Sequence, residues 1–240
     1  MSIIVKDKFK LIVSGLDRFE ALKMLVQEIN KIDITGTAVV AFIGGAASGK
    51  SSFCQKLKSQ LGLADVLSTD DYVVGDRKYR HEHLDQNDPI LKYRPEVMNE
   101  HIAKIVSLKS SEVFRVPERD EKSGIALDAG EKNFSRKIDR VKYLIVEGDF
   151  LFVKNPDFII YFDVPDEIRK ANRIYRDSKK RMITDRAEIA INFDLRQKTQ
   201  HIKYTEPVKK IADLILKAQV KSGSSGNYIY QYSVYLKRKD

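Results

Sequence analysis

Apolar positions along the chain fall into two periodicities that alternate. Phe19, Leu22, Leu25, Val26, Ile29 and Ile32 recur at helical spacing behind Asp17 and Glu20, which predicts a capped amphipathic helix over residues 17 to 32. "IDITG" then turns the chain into "TAVVAFIG", a continuous apolar run of the kind that forms a strand buried on both faces of a parallel sheet. A glycine-rich loop follows, and "KSSFCQKLKSQLG" reads as a helix ended by Gly62. Further strands are predicted at "ADVLSTDDY", "VKYLIVEGDF", "DFIIYFDVP" and "IADLIL".

Strand and helix patterns in alternation are the signature of a doubly wound α/β fold, in which active residues gather at the carboxyl ends of the strands. The expected organisation is one domain over 1–240, with its core in 37–71 and 137–216. A helical N-terminal extension covers 1–36. Residues 72–136, rich in His, Asp, Arg and Pro with a helix at "PEVMNEHIAKIVSL", read as an acceptor-binding insertion. Residues 166–186 form a lid, and the tail 217–240, where Tyr, Ile and Val alternate, reads as an added edge strand.

Composition adds limits rather than a function. The chain has 240 residues, 42% of them hydrophobic and 32% charged, and no apolar run approaches the roughly 18 to 20 residues needed to span a bilayer. No secretory signal is recognisable at the N-terminus, and Cys54 alone cannot form an internal disulfide, so a cytoplasmic location is expected. Cys54 itself reads as a small buried residue. The net charge of +9 suits either a nucleic-acid surface or a polyphosphate pocket. Acidic residues interleave with the basic ones and no recognition motif accompanies them, which disfavours nucleic acid. A homo-oligomer is left open.

The loop carries the chemistry. Gly44, four residues, then Gly49-Lys50-Ser51 satisfies G-x-x-x-x-G-K-[ST], between a strand and a helix as that motif requires. Backbone N–H groups of Gly44, Gly45, Ala46, Ala47, Ser48 and Gly49, with Lys50, Ser51 and Ser52, are the expected cradle for the phosphates of a nucleotide. Lys50 would bridge the terminal phosphates and Ser51 would hold Mg²⁺. Asp70 and Asp71, after the next strand, offer a carboxylate for a proton from an attacking hydroxyl, or else a pair of caps for a turn. Arg169, Arg173, Arg176 and Lys180 share one face of a helix, as a closing basic lid would, or as a solvated surface would. His81 and His83 lie one residue apart, on one side if that stretch is a strand, without a third ligand for a metal.

"VVAFIGGAASGKSSF", "VLSTDDY", "YLIVEG", "RKANRIYRDSKKR" and "YTEPVKKIADLIL", in this order, resemble the uridine kinase family within the uridine kinase, phosphoribulokinase and pantothenate kinase group. The resemblance covers residues 37 to 216 and implies a P-loop NTPase fold, a parallel sheet flanked by helices. It implies an ATP- and Mg²⁺-dependent kinase of a small molecule bearing a hydroxyl, a nucleoside such as uridine or cytidine. By it, Asp70 matches the carboxylate that activates the acceptor, with Ser51, Glu147 and Asp70 about the metal. Asp88 matches a ribose-binding Asp, while Arg173, Arg176 and Arg181 match basic lid residues that contact the phosphates. After Val116-Pro117, where the family's uridine kinases carry aromatic residues and a His, this chain has Glu118, Arg119, Asp120 and Glu121. Arg119 is the candidate acceptor contact there, and the stretch suits a pantothenate-, glycerate- or sugar-phosphate-like alcohol better. A nucleotide-dependent binding protein for nucleic acid or an acidic partner is the alternative from another class.

Overall fold

The computed structural model describes residues 8–85, 88–120, 124–126, 135–180, 185–222 and 228–238. A seven-stranded sheet runs through the molecule in the order β1-β9-β8-β7-β2-β6-β3. Its parallel part comprises β2 (Ala38–Gly44), β3 (Ala64–Ser68), β6 (Tyr143–Gly148), β7 (Phe158–Asp163) and β8 (Leu214–Ser222). Every residue of β2 is buried, because the strand is central and covered on both faces.

The period of two along β2 sorts its side chains between two cores. Ala38, Val40 and Phe42 face α1 (Arg18–Ile29) and α2 (Lys50–Leu61), meeting Leu22, Leu25, Phe53 and Leu57. Val39, Ala41 and Ile43 face the other way, with Met98 and Ile102 of α4 (Pro95–Val106) and with Val116 and Ile138. These last two belong to a separate antiparallel hairpin of β4 (Val113–Pro117) and β5 (Ser135–Asp139). Helix α1 begins as expected: the Asp17 carboxylate accepts from the Glu20 N–H at 2.8 Å, and Glu20 returns the bond to the Asp17 N–H at 2.9 Å.

Three boundaries differ from the sequence reading. The N-terminal extension is not only helical: β1 (Phe9–Leu16) precedes α1 and pairs antiparallel with β9 (Tyr228–Lys237). The tail is therefore no edge strand, since β9 lies between β8 and β1, and β8 itself extends to Ser222. The insertion holds α3 (Arg77–His83) and α4, and its hairpin runs past residue 136 to Asp139. Helix α5 (Asp166–Lys180) occupies most of the stretch expected as a lid, and α6 (Arg186–Asn192) continues as right-handed helix through wide turns at Phe193–Gln197 and His201–Thr205. Among the described residues no helix is long and apolar enough to cross a membrane.

Candidate active site

The carboxyl ends of β2, β3, β6 and β7 open into a cleft of about 1100 Å³. Its floor is the glycine-rich loop. Gly44 ends β2 so close to β7 that an added Cβ would stand 2.7 Å from the Phe162 carbonyl oxygen. At Gly49 φ is +88°, a value that favours glycine, and Ala47 also takes a left-handed φ of +62°. Gly49 is the N-cap of α2 and supplies no side-chain cap, so the leading N–H groups of that helix are left for a ligand. The Ser48 hydroxyl is buried with no hydrogen-bond partner among the described residues, an orphaned donor within the loop.

Lys50 is buried, and its Nζ donates to the Gly45 carbonyl at 3.0 Å and to Asp149 Oδ1 at 2.6 Å. The ammonium thus lies folded against the loop, held by an acid two residues beyond Glu147. Glu147, next to last in β6, pairs directly with Ser68 of β3. The Ser51 and Ser68 hydroxyls both donate to Glu147 Oε1 at 2.9 Å. Burial pushes the Glu147 carboxyl above its ordinary range, while the Lys50 ammonium and the two hydroxyls draw it down. Gly148 must be glycine, because a Cβ there would meet Thr69 Oγ1 at 2.4 Å.

The two acids after β3 part company. Asp70 lines the cleft, where its Oδ2 pairs with Arg119 Nη1 at 2.8 Å and its Oδ1 accepts from the Tyr93 hydroxyl at 3.4 Å. Asp71 turns inward and accepts the Arg119 backbone N–H at 3.0 Å, and burial lifts its carboxyl to about 6. Of the two, only Asp70 lines the cleft; Asp71 ties the insertion to the sheet.

Arg173 and Arg176 reach the cleft from α5 and flank the buried Asp177, at 2.5 and 3.2 Å, with Lys179 beside them. Asn172 Nδ2 donates to the Ala47 carbonyl at 3.1 Å and fastens the helix to the loop. Arg169 does not join this basic face. It is fully buried at the base of α5, ion-paired with Asp166 and over the Phe193 ring, because the first turn of the helix packs behind the loop. Arg181 lies outside the described residues, as does the side chain of Lys180.

Asp88 is not brought to the cleft wall; its carboxylate caps the turn Pro89–Lys92 through the Ile90 N–H at 3.0 Å. His81 and His83 stand on helix α3 rather than on a strand, so residues two apart do not face one another. The His83 ring stacks on Tyr79 instead, at 4.6 Å. No group of three or more His, Cys, Asp or Glu gathers as a metal site among the described residues. A hydroxyl and one or two carboxylates, completed by water and phosphate oxygens, are nonetheless the donors Mg²⁺ prefers, and Ser51, Glu147 and Asp70 fit that set. Cys54 is wholly buried and its thiol is pushed well up by burial, which makes it a packing residue.

Sequence reasoning missed Asp149, Tyr93, Asn172, Tyr175, Arg18, Tyr230 and Tyr232, all of which line the cleft. Asp149 had a signal, since an acid follows Glu147-Gly148 at the end of a strand. The others come from elements distant in sequence.

A family model described as "Phosphoribulokinase / Uridine kinase family" matches residues 39–222. A uridine kinase from Borrelia duttonii (strain Ly) is 27% identical over 207 residues, covering 83% of this chain and 94% of that protein. Among solved structures, phosphoribulokinase from Rhodobacter spheroides superposes with a TM-score of 0.55 at 15% identity, over 80% of this chain and 73% of that one. D-glycerate 3-kinase from Cryptococcus neoformans gives 0.54 at 11% identity, over 83% and 92%. The two structural likenesses speak for the fold.

Proposed function

The chain belongs to the phosphoribulokinase / uridine kinase family of P-loop kinases, and from that premise we propose that it moves the γ-phosphoryl group of ATP to a hydroxyl of a small molecule. The observation that carries the reading is that Asp70 and Lys50 line one cleft together with the hydrogen-bonded pair Ser51 and Glu147. The phosphates lie on the loop amides, and Lys50 exchanges Asp149 for the terminal phosphate oxygens. Ser51, with Glu147 or Asp70, would hold Mg²⁺, which would supply charge neutralisation at the phosphates.

Asp70 accepts the hydroxyl proton as the acceptor oxygen bonds to the γ-phosphorus. The bond from that phosphorus to the β–γ bridging oxygen breaks, and ADP leaves with the electron pair. Arg173 and Arg176 swing in on α5 to balance the charge spread over the moving group. The relative named as a uridine kinase, aligned over 94% of its length, supports a nucleoside acceptor.

One feature favours an acceptor that carries negative charge. Arg119 lines the cleft beside Asp70 and pairs with it, and behind the wall Arg80, bound to the Val74, Gly75 and Gly124 carbonyls, is pulled below its ordinary value by burial and then by the charges of Arg119 and Arg77. A neutral nucleoside leaves Arg119 on Asp70, whereas a carboxylate or phosphate draws it away and frees the base. An acceptor screen for ADP release with nucleosides, pantothenate, glycerate and sugar phosphates separates the two. In Asp70→Asn, turnover should fall by about 10²- to 10⁴-fold with nucleotide binding intact. Full activity in that variant, or stimulation by nucleic acid alone, refutes the kinase mechanism.

A further inference from the structure

The carboxyl end of β3 carries a hydroxyl that the mechanism above leaves unused. Ser68 is the last residue of that strand, stands opposite Glu147 in the parallel ladder with β6, and lines the cleft. A serine hydroxyl has one hydrogen to give and two lone pairs with which to accept. The Ser68 hydrogen goes to Glu147 Oε1 at 2.9 Å, and its oxygen accepts the Asp70 N–H at 3.3 Å, capping the turn Thr69–Tyr72. One side chain therefore touches both the acid assigned to the metal and the backbone of the acid assigned as base.

The surroundings hold Ser68 in place. Buried Thr69, next in the chain, presses on β6 where a Cβ at Gly148 would stand 2.4 Å from its Oγ1. Arg136 grips β3 from outside through Asp65 at 3.1 Å and through the Val66 carbonyl. Ser51, the other donor to Oε1, sits instead on the phosphate-loop helix α2, and its hydroxyl is the one a divalent cation would engage. Glu147 Oε2 takes no hydrogen bond among the described residues. With Ser68 on Oε1, the carboxylate keeps one orientation even when the Ser51 oxygen is turned to a cation. An outer donor that orients a metal-binding carboxylate in this way is worth about 10- to 100-fold in metal affinity.

We propose that Ser68 is a positioning residue that ties Glu147 to the turn presenting Asp70, orienting the first toward a divalent cation and fixing the second beside it. This role rests on the phosphoryl-transfer reading above. It goes further in making the spacing of metal and base depend on a hydroxyl of the sheet rather than of the loop.

Calorimetry of tripolyphosphate binding to the full chain, with and without Mg²⁺, reads the metal's share of affinity without turnover. Wild type should gain affinity from Mg²⁺. Ser68→Ala should reduce that gain by about 10- to 100-fold and leave the metal-free affinity unchanged, which certifies a folded loop. Ser68→Thr, which keeps the hydroxyl, should restore the gain. In a Glu147→Gln background Ser68→Ala should remove nothing further, because Ser68 acts through that carboxylate. With an acceptor from the screen, kcat of Ser68→Ala should fall by about 10²-fold as the base is displaced, while acceptor KM holds. An unchanged Mg²⁺ gain in Ser68→Ala, additive losses in the double variant, or an unchanged kcat overturns the role of Ser68 while the kinase reading stands. If Mg²⁺ brings wild type no gain, the metal reading falls and the role of Ser68 with it. A screen without turnover sinks the kinase reading alone, since the Mg²⁺ gain still decides whether Ser68 holds Glu147.

Discussion

Replacing Gly45 by alanine probes whether the rigidity of the loop depends on what packs behind it. A Cβ at this position would stand 2.2 Å from Arg169 Nη1, 2.6 Å from its Cζ and 2.8 Å from His201 Nδ1. Ordinary contact begins at 3.4 Å, so either the guanidinium or the loop must give by about 1 Å. Arg169 has little freedom to yield, being fully buried, paired with Asp166 and laid over Phe193. Overpacking of this kind costs about 1–3 kcal/mol, which for a chain of this size lowers Tm by about 2–4 °C per kcal/mol. If the loop moves instead, a misplacement of about 1 Å is enough to reduce turnover roughly 10²-fold. Thermal melts and tripolyphosphate titration distinguish the two: lost stability with retained affinity means that Arg169 moved, and lost affinity means that the loop did. Wild-type stability together with wild-type affinity in Gly45→Ala would refute the packing account.

Asp149→Asn should leave Lys50 buried without its counter-charge and lower unliganded stability by about 1–3 kcal/mol. Because the phosphates replace that counter-charge, the melting shift on adding nucleotide should be larger than in wild type; an unchanged shift contradicts the exchange. Arg119→Met should cost anionic acceptors about 10- to 100-fold in kcat/KM while sparing neutral ones, and equal losses for both classes dismiss Arg119 as an anion contact. His201 is held neutral, its pKa lowered to about 4 mainly by burial and next by the Arg169 charge. The unfolded ring protonates near 6.5, so the stability it contributes is complete above that pH and is lost as pH falls toward 4, by up to about 3 kcal/mol. Urea midpoints for wild type and His201→Asn should therefore converge over that window; a constant gap excludes His201. Asp71 acts with the opposite sign: its raised pKa of about 6 makes the fold gain stability as pH falls from there toward 3.8, and it is common to both chains.

What was legible in the sequence was whatever a short stretch could encode. The strand, loop and helix around Lys50 are contiguous, and their apolar period, glycines and hydroxyls specify them without help from elsewhere. Asp70 and Glu147 were legible because each lies at the carboxyl end of an apolar run, Asp70 just after β3 and Glu147 next to last in β6. Placement across the chain was not. Arg169 belongs to the same helical face as Arg173 and Arg176 by spacing, yet the first turn of α5 is roofed by Phe193 and the loop, so one guanidinium is core and two are cleft. Strand β1 was missed because "FKLIVSGL" has an exposed, irregular pattern and two register shifts against β9. The helix from Arg186 was missed because Ile191, Leu195 and Ile202 stay exposed, which blurs any apolar stripe. The Asp70–Arg119 pair spans an insertion whose course no local pattern encodes.

The pairing of β1 with β9 also orders events in time. Phe9 sits opposite Lys237, and the Arg238 N–H bonds to the Lys8 carbonyl at 2.9 Å, so the first strand waits for the last. At the usual pace of synthesis that wait is on the order of ten seconds or more. Throughout it, the phosphate loop between β2 and α2 can already close over its own neighbours, while Tyr230 and Tyr232 do not yet exist. A nascent chain would complete its glycine-rich loop well before the β9 wall of the cleft, and the edge of β1 stays open to other strands for that interval.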